Sequence, residues 1–163
     1  MKLKASVIIA LLLAASFSPA QAAPNYVFPI TGCEYTYPKA HHSYPATDIF
    51  ANAGCRYVAV TSGVIDEVNR VDSWSGKTNL GIDRGGLYVS LIGDDGVRYY
   101  ASHLRSIPQS IQPGVKVNVG RLLGTVGTSG SARGTKPHIH FGLSWSTPPQ
   151  TWWVRRGMVW PWK

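Results

Sequence analysis

The run Lys136-Pro137-His138-Ile139-His140-Phe141-Gly142-Leu143 constrains this chain more than any other stretch. In an extended segment side chains alternate between faces, so His138 and His140 share one side while Ile139, Phe141 and Leu143 share the other. One face is therefore anchored in a core and the other presents two imidazoles. A rigid strand holding two parallel imidazoles suits metal binding, because neutral imidazole nitrogen is a common zinc ligand. The plain alternative is a polar, solvated face on an edge strand.

The rest of the chain has the punctuation of a small β protein. After the opening segment no stretch carries a 3.6-residue apolar stripe, whereas short β-branched runs are separated by glycine-containing turns. Asp48 to Ala51 leads into a turn at Asn52-Ala53-Gly54, and strands are expected over Cys55 to Val60 and Val64 to Val68. Leu87 to Ile92 and Val97 to Ser102 flank Gly93-Asp94-Asp95-Gly96 as a hairpin, with His103 at its end. Two further short strands, Val115 to Gly120 and Leu122 to Gly127, precede the Gly/Ser loop Thr128 to Thr135 that enters the His-x-His strand. Tyr26 to His42 reads as an irregular segment laid over the fold, its tyrosines lining a groove. The fold class expected is all-β.

Residues 1–22 have the form of a secretory signal: lysines at 2 and 4, an apolar run from Ala5 to Phe17, and Ala20-Gln21-Ala22 as a cleavage site. No other stretch approaches the ~18 apolar residues of a membrane span. A secreted or extracytoplasmic protein follows, in the cell wall or periplasm. No lipid anchor is expected, since the first cysteine, Cys33, stands well beyond the cleavage site. Cleavage leaves 163 − 22 = 141 residues, enough for one domain, 23–163, that ends in a tryptophan-rich tail, 145–163. It also leaves 14 Lys+Arg against 8 Asp+Glu, a net +6 that favours anionic surfaces such as cell-wall polymers. The basic residues are dispersed rather than clustered, so no nucleic-acid partner is expected. Cys33 and Cys55 in an oxidising compartment should pair, closing a loop worth ~3 kcal/mol in the chain-entropy account. The tail holds five of the six tryptophans together with Arg155-Arg156, either as a stacking patch or as cover for an open face of the domain.

All five histidines fall in three places, His41-His42, His103, and His138 with His140, and Asp48 follows the first pair. Two imidazoles and a carboxylate meet the needs of a catalytic zinc, which takes three protein ligands and keeps a fourth position open. There is no His-Glu-x-x-His helix to bring a glutamate base, so proton transfer falls to the remaining histidines.

Taken together these residues resemble the lysostaphin-type, LytM-like zinc endopeptidases, which cut peptide bonds in bacterial peptidoglycan. The resemblance runs from about Gly32 to Ser144. It rests on the His…Asp element followed by Gly54…Val58-Ala59…Ser62-Gly63-Val64-Ile65, on Tyr100-Ala101-Ser102-His103-Leu104, and on Val115…Gly120…Leu123-Gly124…Gly127…Gly130…Pro137-His138-Ile139-His140-Phe141. It implies an antiparallel, sandwich-like sheet fold with duplicated hairpins and a groove above the sheet. It also implies Zn2+ held by a histidine of the first element, Asp48 and His140, with His103 and His138 as the catalytic pair beside the attacking water.

One element departs from the pattern. The usual spacing puts three residues between histidine and aspartate, which would require a histidine where Tyr44 stands. The ligand is then His42 or His41, and His42 is the expected one because it needs the shorter loop. The implied function is a secreted zinc metalloendopeptidase acting on peptidoglycan cross-links or stem peptides, expected as a monomer. The alternative is a non-catalytic wall-binding or hydrolase-activating module of the same fold. A carrier domain fits less well, since no lysine stands at a hairpin tip between Val115 and Gly127 as an attachment point.

Overall fold

In the computed structural model, which describes residues 24–39 and 41–161, eleven strands form two antiparallel sheets. The expected signal segment and its cleavage site lie outside the described residues. The larger sheet has seven strands in the order β2 (Tyr35–Thr36), β3 (Thr47–Ala51), β11 (His138–Ser144), β7 (Arg98–Ser102), β6 (Tyr88–Gly93), β5 (Gly63–Asn69) and β9 (Lys116–Val117). The smaller has β1 (Ile30–Thr31), β4 (Arg56–Val58), β10 (Leu122–Val126) and β8 (Leu104–Ser106). Three short 3-10 turns complete the described elements, at Gly130–Ala132, Pro149–Thr151 and Val154–Arg156. Among the described residues no helix is long and apolar enough to cross a membrane.

The period-2 expectation for the His-x-His run holds, but the strand is central. β11 pairs with β3 on one side and β7 on the other, so the edge-strand alternative is excluded. Directly opposed residues share a face. Ile139 opposes Ile49, and Phe141 opposes Ala101, which in turn opposes Val89. These residues join Ile65 and Leu91 from the large sheet, and Tyr57, Leu104, Leu123 and Val126 from the small one, in a single buried core. The other face of the large sheet carries Asp48, His140 and Ser102 in one row, because Asp48 and Ser102 oppose His140 from its two sides.

Two departures from the expected elements have local causes. The segment read as irregular supplies β1 and β2, because Ile30 pairs with Tyr57 and the Cys33–Cys55 disulfide ties the intervening turn to the start of β4. Tyr35 and Tyr37 stack on Phe28 instead of lining the groove over the histidines. The run Val115 to Gly120 yields only Lys116–Val117 as strand, since the turn bonds Val115 N–H to Gln112 O and Arg121 N–H to Asn118 O carry the chain away on either side.

Candidate active site

The row of opposed residues on the large sheet is the foundation of the site. His140 holds Nδ1 3.1 Å from Asp48 Oδ1 and Nε2 2.9 Å from the Arg156 carbonyl. His138, two residues earlier, is also buried, and its Nδ1–H donates to the Lys136 carbonyl at 2.8 Å.

His103 reaches this face by a different route. Alternation along β7 would send the residue after Ser102 to the core side. At φ +65° His103 instead adopts the left-handed region, uncommon for a residue with a side chain, and the chain turns into β8. Its backbone N–H donates to Gly85 O and its Nδ1–H to Ser129 O at 2.8 Å. The ring lies 5.0 Å from that of His138, centroid to centroid. Burial, then the neighbouring His138 and His140, push its pKa down to about 3, so the ring is neutral at physiological pH.

His41, Asp48 and His140 each offer a ligand atom within 4.8 Å of the others. The expected first ligand was His42, and the structure brings its neighbour into the group instead. The His42 side chain is exposed, with its ring 5.2 Å from that of His41 in an edge contact. His41 turns inward under Tyr44, with ring centroids 4.6 Å from Tyr44 and 4.8 Å from His140. Tyr44, where the usual spacing would put a histidine, lies over both imidazoles.

The donor chemistry of this group fits a cation. Both neighbours of His140 are acceptors, a carboxylate and a carbonyl, yet a neutral imidazole donates from only one nitrogen. With Nε2–H given to Arg156 in the neutral ring, Nδ1 turns a lone pair towards Asp48, a contact that a shared cation makes favourable, as protonation of the ring would. His41 Nδ1 is buried with no hydrogen-bond partner among the described residues, and its Nε2 lies 3.9 Å from the same carboxylate. Burial, followed by the His140 ring, lowers the pKa of His41 and keeps it in the neutral form that ligates. Burial would raise the Asp48 pKa, but the neighbouring His140, His138 and His41 rings outweigh it and hold the carboxyl below its ordinary value. Zn2+, which favours two imidazoles and a carboxylate, suits this set.

His103 and His138 differ from His140 in the nitrogen that is pinned. Each gives Nδ1–H to a backbone carbonyl, which leaves Nε2 unprotonated in the neutral ring and able to accept a proton. All five histidines border one groove of about 550 Å3. Its walls include Tyr44, the loop carrying Ile82 and Arg84, and Trp152 and Arg156 of the tail.

Of the tail's described tryptophans only Trp152 is half-buried, in the groove wall. Trp145, Trp153 and Trp160 are exposed, while Val154, Arg155 and Gly157 are buried. Arg155 pairs with Glu67 at 2.8 Å and lies over the Tyr88 ring, and Met158 N–H donates to Leu143 O. Sequence reasoning missed this contribution. Its one trace was a pair of glycines, Gly142 and Gly157, standing where backbones approach closely.

The chain matches the model of peptidase family M23 over residues 42–151. No curated protein matches it. Among solved structures it is similar to the catalytic domain of the antimicrobial peptidase lysostaphin from Staphylococcus simulans, at 28% identity and a TM-score of 0.55, covering 72% of this chain and 86% of that one. In a second lysostaphin structure it spans 44% of the solved chain. It is similar as well to the catalytic domain of EnpA, a prophage-encoded M23 protein from Enterococcus faecalis, at 25% identity and a TM-score of 0.53, covering 77% of this chain and 88% of that one. A zinc-containing peptidase from Vibrio cholerae shares the fold at 22% identity and a TM-score of 0.51, covering 80% of this chain and 34% of that one.

Proposed function

We propose that this chain, which belongs to peptidase family M23, is an exported zinc endopeptidase that hydrolyses peptide bonds of bacterial peptidoglycan. The observation that carries the reading is the sorting of histidines in one groove. His41 and His140 converge with Asp48 as a ligand set, while His103 and His138 stand beside them with Nδ1 tied to carbonyls. Lysostaphin, an antimicrobial peptidase, and the M23 protein EnpA support the substrate class.

When bound, zinc would acidify a coordinated water and polarise the scissile carbonyl as a Lewis acid. The chain's own residues do the rest. Nε2 of His103 or His138 accepts the proton of the attacking water as the new C–O bond forms. The same ring returns that proton to the departing nitrogen as the C–N bond breaks, leaving an amine and a carboxylic acid that gives up the second proton of the water on ionising. Burial of both rings keeps bulk water from competing for the proton. The Cys33–Cys55 disulfide supports folding in an oxidising compartment, the cell wall or periplasm. The protein is read as acting as a monomer.

The test is zinc content measured beside digestion of purified peptidoglycans of differing cross-link chemistry, with the new ends identified by mass spectrometry. One zinc per chain and new amino and carboxyl ends are expected. Zinc and wall binding without new ends would make the protein a binding or hydrolase-activating module, and the peptidase reading would fall.

A further inference from the structure

The segment Val154–Gly157 lies beyond the span matched by the family, yet it touches both ends of the proposed ligand set. At one end the Arg156 carbonyl accepts from His140 Nε2 at 2.9 Å. It gets there because Gly142, two residues along β11 on the same face, has no side chain: a Cβ there would stand 2.0 Å from that carbonyl oxygen. At the other end Gly157, at φ +141°, packs on the loop between His41 and Asp48, where a Cβ would stand 2.0 Å from Pro45 O and 3.1 Å from Ala46 Cβ. The Arg156 guanidinium also lies 4.7 Å over Tyr44, the residue that shelters His41. The segment is itself fixed to the sheet by the Arg155–Glu67 pair and by the buried Val154.

Six residues separate His41 from Asp48, against the three of the usual element. A loop of that length has more freedom to lose and needs support from outside itself. Metal-ligating histidines in general donate their second N–H to a carbonyl or carboxylate that fixes tautomer and orientation. Here the chain's own C-terminal segment supplies that acceptor.

We infer that Val154–Gly157 is a positioning strap for the metal centre: the Arg156 carbonyl holds His140 as its Nε2–H tautomer, so that Nδ1 ligates, and the contacts of Arg156 and Gly157 with Tyr44 and Pro45 hold the longer loop so that His41 can reach the same ion. The inference rests on the reading of His41, Asp48 and His140 as zinc ligands.

The test uses the full chain loaded with Zn2+. In the unaltered protein, long-range 1H–15N spectra of the His140 ring should show a slowly exchanging proton on Nε2 and none on Nδ1. Gly142→Ala pushes the Arg156 carbonyl away without removing any polar group, and Gly157→Ala does the same to the Pro45 contact. Each should lower zinc affinity about 10–100-fold by chelator competition, and Gly142→Ala should also make the Nε2 proton exchange rapidly. Trp153→Ala, at an exposed position just before the segment, should leave both readouts unchanged. A proton on Nδ1 of His140, or wild-type affinity in a folded Gly142→Ala or Gly157→Ala protein, overturns the strap. The spectrum of the unaltered protein decides the matter even where a variant does not fold. If the unaltered protein takes up no zinc, the ligand reading itself falls and the strap with it.

Discussion

His103 and His138 face each other across 5.0 Å with their planes at 62°, each tied through Nδ1 to a backbone carbonyl, Ser129 for one and Lys136 for the other. Each ring thereby keeps Nε2 free to accept a proton, and His41, Asp48 and His140 alongside are the group proposed to hold the metal. His103→Ala and His138→Ala should therefore keep zinc and fold while turnover on peptidoglycan falls about 10²–10⁴-fold. Metal analysis beside a digestion assay checks this. If His138→Ala sheds its metal as His140→Ala should, His138 is a ligand and the division of roles is wrong.

The first ligand is tested by adjacent substitutions. His41→Ala should lose zinc as completely as His140→Ala, because it removes one of three protein donors. His42→Ala should retain zinc and activity, since its exposed ring makes an edge contact with His41. The reverse pattern, zinc lost from His42→Ala and kept by His41→Ala, would show that the loop adopts a different path in the metal-bound protein.

The Cys33–Cys55 bond closes a loop of 22 residues and tethers β1 and β2 to β4. Replacing both cysteines with alanine should cost ~3 kcal/mol in denaturant unfolding. Zinc stoichiometry should be unchanged, because neither cysteine lines the groove. Intact-mass analysis of the native protein should show two hydrogens fewer than the dithiol.

Asp72 supports the site from behind His103. Its carboxylate accepts from Gly130 N–H at 3.0 Å and pairs with Arg133 at 2.7 Å, bracing the turn whose Ser129 carbonyl holds the His103 ring. Burial would raise its pKa, but the Arg133 hydrogen bond and the Gly130 N–H outweigh burial and set it below the ordinary 3.8. A depressed carboxyl stabilises the fold above its unfolded pKa, and that contribution disappears as pH falls through the folded value. Asp72→Ala should cost about 1–2 kcal/mol at neutral pH. The gap between variant and unaltered protein should stay constant down to about pH 4 and close below it. A gap that widens in acid would contradict the sign of the shift.

Much of this site was legible from residue order alone, because it rests on strand periodicity. Alternation put His138 and His140 on one face and Ile139 and Phe141 on the other, and the structure gives the latter two to the core. Asp48 and His103 were marked by their place beside strands and by the family pattern they complete. The β runs and most turns followed from β-branched residues and glycines, which act locally. A local pattern says nothing, however, about which side of a strand its neighbours will seal, and the pairing of β11 with both β3 and β7 is a long-range outcome.

Only the tertiary structure brings His41, and not His42, into the group with Asp48 and His140. Counting spacers favoured the shorter loop, but the path from His41 to Asp48 follows packing: Tyr44 lies over His41 and His140, and Gly157 sits against Pro45. The C-terminal contact was nearly invisible for a related reason. A main-chain carbonyl is the same at every residue, so the bond from His140 to Arg156 marks the sequence only through Gly142, whose missing side chain lets that carbonyl approach. The sequence by itself determined most of the strands, their faces and the chemical types gathered on them. Which imidazole lies beside Asp48 and His140, and which carbonyl faces His140, follow from distant segments meeting across the sheet.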